Sequence, residues 1–139
     1  MAVTNPYAAV SDVQALLNAG SGTGITIGTT SVPTTAQVEG FLDQIAAVVE
    51  ARLLGAGYTV PASGTNDILL LRHYIAQKAA AATYDAGYGG YPNEPERVTT
   101  WKREFDDFLA QITEKTMRLR DQAPRSRVGV VNVGRFVGE

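Results

Sequence analysis

His73 is the only histidine of the chain, which also lacks cysteine. A histidine that acts as a general base needs a nucleophile within hydrogen-bond reach and a carboxylate that orients the ring. Asp67 and Asp85 lie near His73 in the sequence, but no nucleophile motif accompanies them. We therefore predict that His73 is a packing or surface residue and that the chain is not an enzyme.

The remaining acidic side chains do not have the pattern of a metal site. With no cysteine and one histidine, the chain can form neither a thiolate zinc site nor a multi-histidine site. Glu104, Asp106 and Asp107 belong to a helical pattern, in which adjacent residues point about 100° apart. Lys102 and Arg103 each precede an aspartate by four residues, the spacing of helical ion pairs. We predict a solvated charged face, and no metal or cofactor.

Two glycine-rich stretches are candidates for phosphate-binding loops, which are also rich in glycine. Residues 20–24 read GSGTG and residues 87–91 read GYGGY, but neither has the lysine of a Walker motif or the spacing of a dinucleotide fingerprint. We predict that both are connectors. Tyr84, Tyr88 and Tyr91 fit two roles equally well, anchoring a partner or packing locally, because tyrosine is large and amphipathic.

The chain of 139 residues is long enough for one domain, and its hydrophobic pattern predicts helices. A short first helix is expected to follow Ser11, which is its predicted N-cap, with Gln14 completing a capping box. The second begins after Thr34, which pairs with Gln37 in the same way, and ends near Gly55. Between them, a Gly/Ser/Thr-rich stretch (residues 19–33) predicts a long loop with a few apolar anchors.

The third predicted helix is capped by Thr65 or Asn66 and is apolar almost all round, which places it at the centre of the fold. The glycines and proline of residues 84–92 are expected to end it. A fourth helix is predicted from about Pro95 to near Asp121, with a stripe of aromatic residues. The fold class is therefore all-α, a small four-helix bundle with long loops and an extended C-terminal arm.

The C-terminal arm (residues 123–139) differs in character from the helical domain (residues 1–122). It is rich in β-forming residues, interrupted by glycines, and cationic. One interpretation is a disordered tail, and the other is an arm that adds a strand to another chain while its arginines pair with carboxylates. On the second interpretation the partner-binding residues are Arg125, Arg127, Val128, Val130, Val131, Val133, Arg135 and Phe136, together with Tyr88 and Tyr91.

Charge is distributed unevenly along the chain. The net charge is −2, yet residues 1–96 hold three basic and eight acidic side chains, whereas residues 97–139 hold nine and six. A near-neutral total argues against a protein that binds nucleic acid over its whole surface. No apolar stretch is long enough to span a membrane, and no secretory pattern is visible at the N-terminus. We expect a protein made in a cytoplasm without membrane contact.

Four short patterns together are similar to those of a known family. The sequence resembles the head–tail connector (adaptor) proteins of long-tailed bacteriophages over roughly residues 7–121. An alanine-rich third helix and a tryptophan-containing fourth helix fit the same layout. The patterns that carry the resemblance are Tyr7-Ala8-x-Val10-x-Asp12-Val13-x-x-Leu16-Leu17, Val38-x-x-Phe41-Leu42-x-x-Ile45-Ala46, Ala51-Arg52-Leu53 and Gly57-Tyr58.

The resemblance implies a structural virion protein located in the neck, at the capsid vertex. Such proteins form a homo-oligomeric ring, typically of twelve copies, beneath the portal protein. The ring extends the channel through which genomic DNA passes without sequence-specific binding, and it presents a surface to the next neck or tail-completion protein. The C-terminal arm would reach the portal. In a head-to-tail ring, the acidic second helix of one copy would meet the basic fourth helix or tail of the next.

An alternative function is a helical nucleic-acid-binding module of phage origin. Its basis is the positively charged C-terminal third, together with Trp101 and the tyrosines as surfaces for base stacking.

Overall fold

The computed structural model describes residues 5–18, 26–88, 95–114 and 117–122, apart from the side chain of Tyr88. These ranges contain no β-strand, and the predicted all-α four-helix fold is confirmed. No helix among them has the length and apolar character that crossing a membrane requires. The four helices are α1 (Val10–Asn18), α2 (Thr35–Gly55), α3 (Thr65–Tyr88) and α4 (Glu96–Glu114).

Helix α3 is the centre of the bundle, as predicted, and packs against each of the other three helices. Three consecutive alanines, Ala79, Ala80 and Ala81, are almost completely buried, which lets neighbouring backbones approach closely. Leu71 and Ile75 are completely buried beside them. The apolar surface does not encircle the whole helix, however, since its first turns expose more than half of Leu69.

Helix α2 begins as its sequence predicts. The Thr34 hydroxyl accepts a hydrogen bond from the Gln37 backbone, and the Gln37 side chain accepts one from the Thr34 backbone. One face is buried at spacings of three and four residues. That face is narrower than the sequence indicates, because Val48 is 47% exposed. Its buried residues are Val38, Leu42, Ala46, Val49 and Leu53.

The predicted cap of α1 at Ser11 is wrong, because the helix already begins at Val10 and Ser11 lies inside its first turn. The Asp12 carboxylate accepts a hydrogen bond from the Ala9 N–H group, and the Ala9 carbonyl accepts from the Asp12 and Val13 amides. Gln14 is therefore not needed for a capping box. Its side chain instead accepts a hydrogen bond from Ile27 N–H at 2.8 Å and so ties the following loop to α1.

The predicted end of α3 within residues 84–92 is confirmed, because the helix ends at Tyr88, one residue beyond Gly87. A glycine weakens a helix by about 1 kcal/mol but does not by itself terminate it. Gly87 serves a packing purpose here. A Cβ atom at this position would lie 2.7 Å from the carbonyl oxygen of Val32, so only glycine lets the loop before α2 approach this closely.

Helix α4 buries the aromatic stripe that its sequence predicts. Phe108 stacks on Tyr74 of α3 with ring centroids 4.2 Å apart. The predicted extension to Asp121 is wrong, since the helix is described only to Glu114 and residues 117–122 are not helical. The buried stripe consists of Val98, Trp101, Phe105, Phe108, Leu109 and Ile112.

Trp101 anchors α4 in the bundle and provides a direct test of this packing. Its side chain is 8% exposed, with the Arg97 guanidinium 5.6 Å from the ring. We predict that Trp101→Ala lowers the free energy of unfolding by about 3–5 kcal/mol, because it removes a large buried side chain. Leu69→Ala, at an exposed position, should change it by about 0.5 kcal/mol or less. An unchanged denaturation midpoint for Trp101→Ala would contradict this packing.

Candidate partner-binding surface

The partner-binding residues predicted from the sequence are not brought together by the structure. Tyr88 is the last residue of α3, and its side chain is not described. The other predicted residues lie outside the described part of the chain: Tyr91, Arg125, Arg127, Val128, Val130, Val131, Val133, Arg135 and Phe136. What the structure does describe is the anchor segment (residues 117–122), which leads directly into the C-terminal arm.

The anchor segment is fixed to α3 by two carboxylates that exchange backbone hydrogen bonds. Asp121 Oδ2 accepts from the amides of Asn66 and Asp67 at 2.7 and 3.1 Å. In return, Asp67 Oδ1 accepts from the amides of Arg120 and Asp121 at 2.8 and 3.1 Å. The side-chain cap of α3 thus comes from residue 121, and the predicted cap at Thr65 or Asn66 is wrong.

The burial of Asp67 explains why the anchor segment must stay hydrogen-bonded to α3 in the folded protein. The residue is 1% exposed, and its Oδ2 atom has no hydrogen-bond partner among the described residues. A buried carboxylate is costly unless donors compensate for its lost hydration. The two amides of the anchor segment and the positive end of α3 supply that compensation. Detaching the anchor segment would therefore leave a buried carboxyl group without these two donors.

Further contacts join the anchor segment to the loop between α2 and α3. The Leu119 amide donates to the Tyr58 hydroxyl at 3.2 Å, and the Leu119 side chain is buried. The Gln122 side chain accepts from Thr59 N–H at 2.9 Å and donates to the Thr59 carbonyl at 3.1 Å. Gly64 permits the close approach, because a Cβ atom there would clash with Asp121. The base of the C-terminal arm is therefore part of the folded body.

The N-terminal residues contact the same loop from the other side. The Tyr7 hydroxyl donates to Glu50 Oε2 at 2.6 Å and accepts from Ala62 N–H at 3.0 Å. Burial, assisted by the Glu50 hydrogen bond, raises the pKa of Tyr7 well above its ordinary value. Arg72 Nε donates to the Tyr7 carbonyl at 2.9 Å. Tyr7 thus links three separate parts of the chain.

An acidic groove lies between α2 and the N-terminal residues. We define it by Glu39, Asp43 and Glu50, which line two adjoining concavities that share Asn5 and Asp43. Asp43 Oδ1 accepts from the Asn5 amide at 2.9 Å, and Glu39 is exposed to solvent. Pro61 of the loop between α2 and α3 lines the same concavity as Glu50. The apolar lining of the groove includes Ala8, Leu42, Ala46 and Ala47.

Of the side chains first considered for catalysis and metal binding, His73 of α3 and Glu104 and Asp107 of α4 line one concavity. His73 is exposed and makes an edge contact with Tyr74, with ring centroids 4.9 Å apart. Lys102 Nζ lies 2.9 Å from Asp85 Oδ2 on α3, a pairing that the spacing within α4 did not predict. In the part of the chain that the structure describes, no three acidic or histidine side chains are grouped so as to hold a metal ion.

The observed bounds of α4 show that the excess positive charge lies after this helix and not on it. Helix α4 carries three basic and five acidic side chains, so the expectation of a basic fourth helix is wrong. The excess of basic over acidic side chains lies after the helix, because residues 115–139 hold six basic and two acidic side chains. Residues 1–114 hold six and twelve. The molecule therefore consists of an acidic body and a basic end that begins beside the anchor segment.

Comparison of the chain with protein-family models, with curated proteins and with solved structures finds no match.

The close approach at Gly64 can be tested by substitution. We predict that Gly64→Ala lowers the free energy of unfolding by about 1–3 kcal/mol, because the new methyl group collides with Asp121. It should also speed tryptic cleavage at the exposed Arg118 and Arg120. The matched control is Gly40→Ala in α2, where a Cβ atom meets nothing within 4 Å and should stabilise the helix by about 0.5–1 kcal/mol. If Gly64→Ala and Gly40→Ala change the free energy of unfolding in the same direction, the close contact between Gly64 and Asp121 is contradicted.

The Asp121 contact should also make stability depend on pH. The hydrogen bond from the Asp67 backbone holds the pKa of Asp121 below its ordinary value. The ionised carboxylate therefore stabilises the folded state above the unfolded pKa of about 3.9, and this stabilisation is lost as the pH falls through the lower folded-state pKa. We predict that Asp121→Asn is less stable than the parent near neutral pH, and that the difference shrinks below about pH 4. Chemical denaturation across this range measures it, and a difference independent of pH would contradict the assignment.

Proposed function

We propose that the chain is a structural virion protein, a head–tail connector that forms a ring beneath the portal and joins capsid to tail. The resemblance over residues 7–121 and the all-helical bundle support this proposal. The observation that carries it is the fixed base of the C-terminal arm. The exchange between Asp67 and Asp121 holds residue 122 against the body, so a basic, β-prone segment of 17 residues follows a defined exit point.

This organisation suits a protein that works between others. A rigid helical body can pack against identical neighbours, while the C-terminal arm reaches a different partner by adding a strand to it. The opposite charges of body and basic end favour head-to-tail contacts, in which two different surfaces meet. A mostly acidic body also suits a channel through which DNA slides, since many phosphate contacts would bind the DNA tightly.

The alternative, a nucleic-acid-binding module, is favoured by the six basic residues between positions 115 and 139. Base stacking on Trp101 does not support it, because that side chain is buried in the bundle. A gel-shift assay at moderate salt separates the two functions. Salt-sensitive binding of DNA by the free protein favours the alternative, and its absence favours the connector.

We predict that the protein, co-produced with the portal protein of the same genome, forms a stoichiometric ring on the portal in electron micrographs. Deletion of residues 123–139 should weaken this attachment and leave the helical circular dichroism signal intact, because the anchor segment is retained. The matched control is Leu69→Ala at an exposed site outside the C-terminal arm. Portal particles without a ring would contradict the proposal, and so would full attachment of the truncated chain.

A further inference from the structure

The acidic groove has the features of a site for an extended cationic segment. Its lining includes apolar side chains, and its three carboxylates lie on one side of α2 between Glu39 and Glu50, which are eleven positions and about 16 Å apart along the helix. Asp43 and Glu50 each accept one hydrogen bond from the N-terminal residues. A carboxylate has about four acceptor positions, so both retain capacity for an arginine, as does the exposed Glu39.

The C-terminal arm begins beside one end of this groove. Gln122 is hydrogen-bonded to both backbone groups of Thr59, and Pro61, two residues further on, lines the groove together with Glu50. The 17 residues that follow can extend to about 55 Å, far more than the length of the groove. They include three arginines and one acidic residue, so their charge is complementary to the groove.

We propose that residues 123–139 bind in the acidic groove of their own chain, running from Pro61 past Glu50 towards Glu39. Arginines of the arm pair with the groove carboxylates, and its valines contact the apolar side chains that line the groove. Because the arm is covalently attached beside the groove, the arm of the same chain is favoured there over the arm of a second copy. Covalent attachment at residue 122 gives the arm a local concentration at the groove of about millimolar order, well above that of other copies in a dilute solution.

This contact has a consequence for any partner of the arm. A partner that binds residues 123–139 must displace them from the groove, which exposes Glu39, Asp43 and Glu50 at the same time. Arm release and the uncovering of an acidic surface are thereby coupled. The contact forms in the free protein, whether or not the chain is a connector.

The absence of cysteine makes the proposal testable by disulfide trapping. In the double variant Ala47→Cys with Val128→Cys, one thiol lies in the groove and the other in the arm. Asp106→Cys with Val128→Cys is the matched control, because Asp106 is exposed on α4 outside the groove. We expect the groove variant, at low protein concentration and low salt, to form an internal disulfide about tenfold faster than the control. About 1 M salt should slow this reaction by screening the charge pairs.

Mass spectrometry and non-reducing electrophoresis identify the products. An internal disulfide in the groove variant, slowed by salt and by Glu39→Lys, supports the proposal. Equal rates in the groove and control variants would overturn it, because they show an arm without preference. Covalent dimers of the groove variant would also overturn it, because they show that the arm of a second copy occupies the site.

Discussion

The structure depends on the exchange of backbone hydrogen bonds between two aspartates that are 54 residues apart. Asp67 is buried in the first turn of the central helix, so its carboxylate requires N–H donors that α3 does not provide. The amides of residues 120 and 121 are those donors, and Asp121 in turn caps α3. The chain must therefore leave the helical conformation after α4 and return to the start of α3. The early end of α4 and the need for glycine at position 64 both follow from this contact.

The loop between α2 and α3 is where the ends of the described chain meet. On one side it accepts the anchor segment, through Tyr58 and Thr59. On the other side its Ala62 amide donates to Tyr7, which is also bonded to Glu50 of α2. The anchor segment, from which the C-terminal arm continues, is thus also hydrogen-bonded to the first turn of the central helix. Such an arrangement is suited to a protein whose proposed role is to hold two larger assemblies together.

Features of the fold that arise within one segment could be predicted from the sequence, whereas contacts between distant segments could not. The capping box of Thr34 and Gln37, the central position of α3 and the aromatic stripe of α4 follow from spacings within one segment, and all three are confirmed. The contact of Asp67 with Asp121 was missed because no short-range pattern links residues so far apart. The end of α3 within residues 84–92 is confirmed, but the close approach of Gly87 to Val32 was missed because it joins two distant segments. The predicted partner-binding residues of the arm remain a prediction from sequence, since they lie outside the described residues.

The most direct test of this account is amide hydrogen exchange, followed by NMR on the full chain at the amides of Arg120 and Asp121. Both donate to a buried carboxylate, so they should exchange only when the helical core opens. The account predicts protection comparable to that of the amides in the middle of α3. Exchange of these two amides at the rate of an unfolded peptide, while α3 stays protected, would contradict it and would make the base of the arm a free tail.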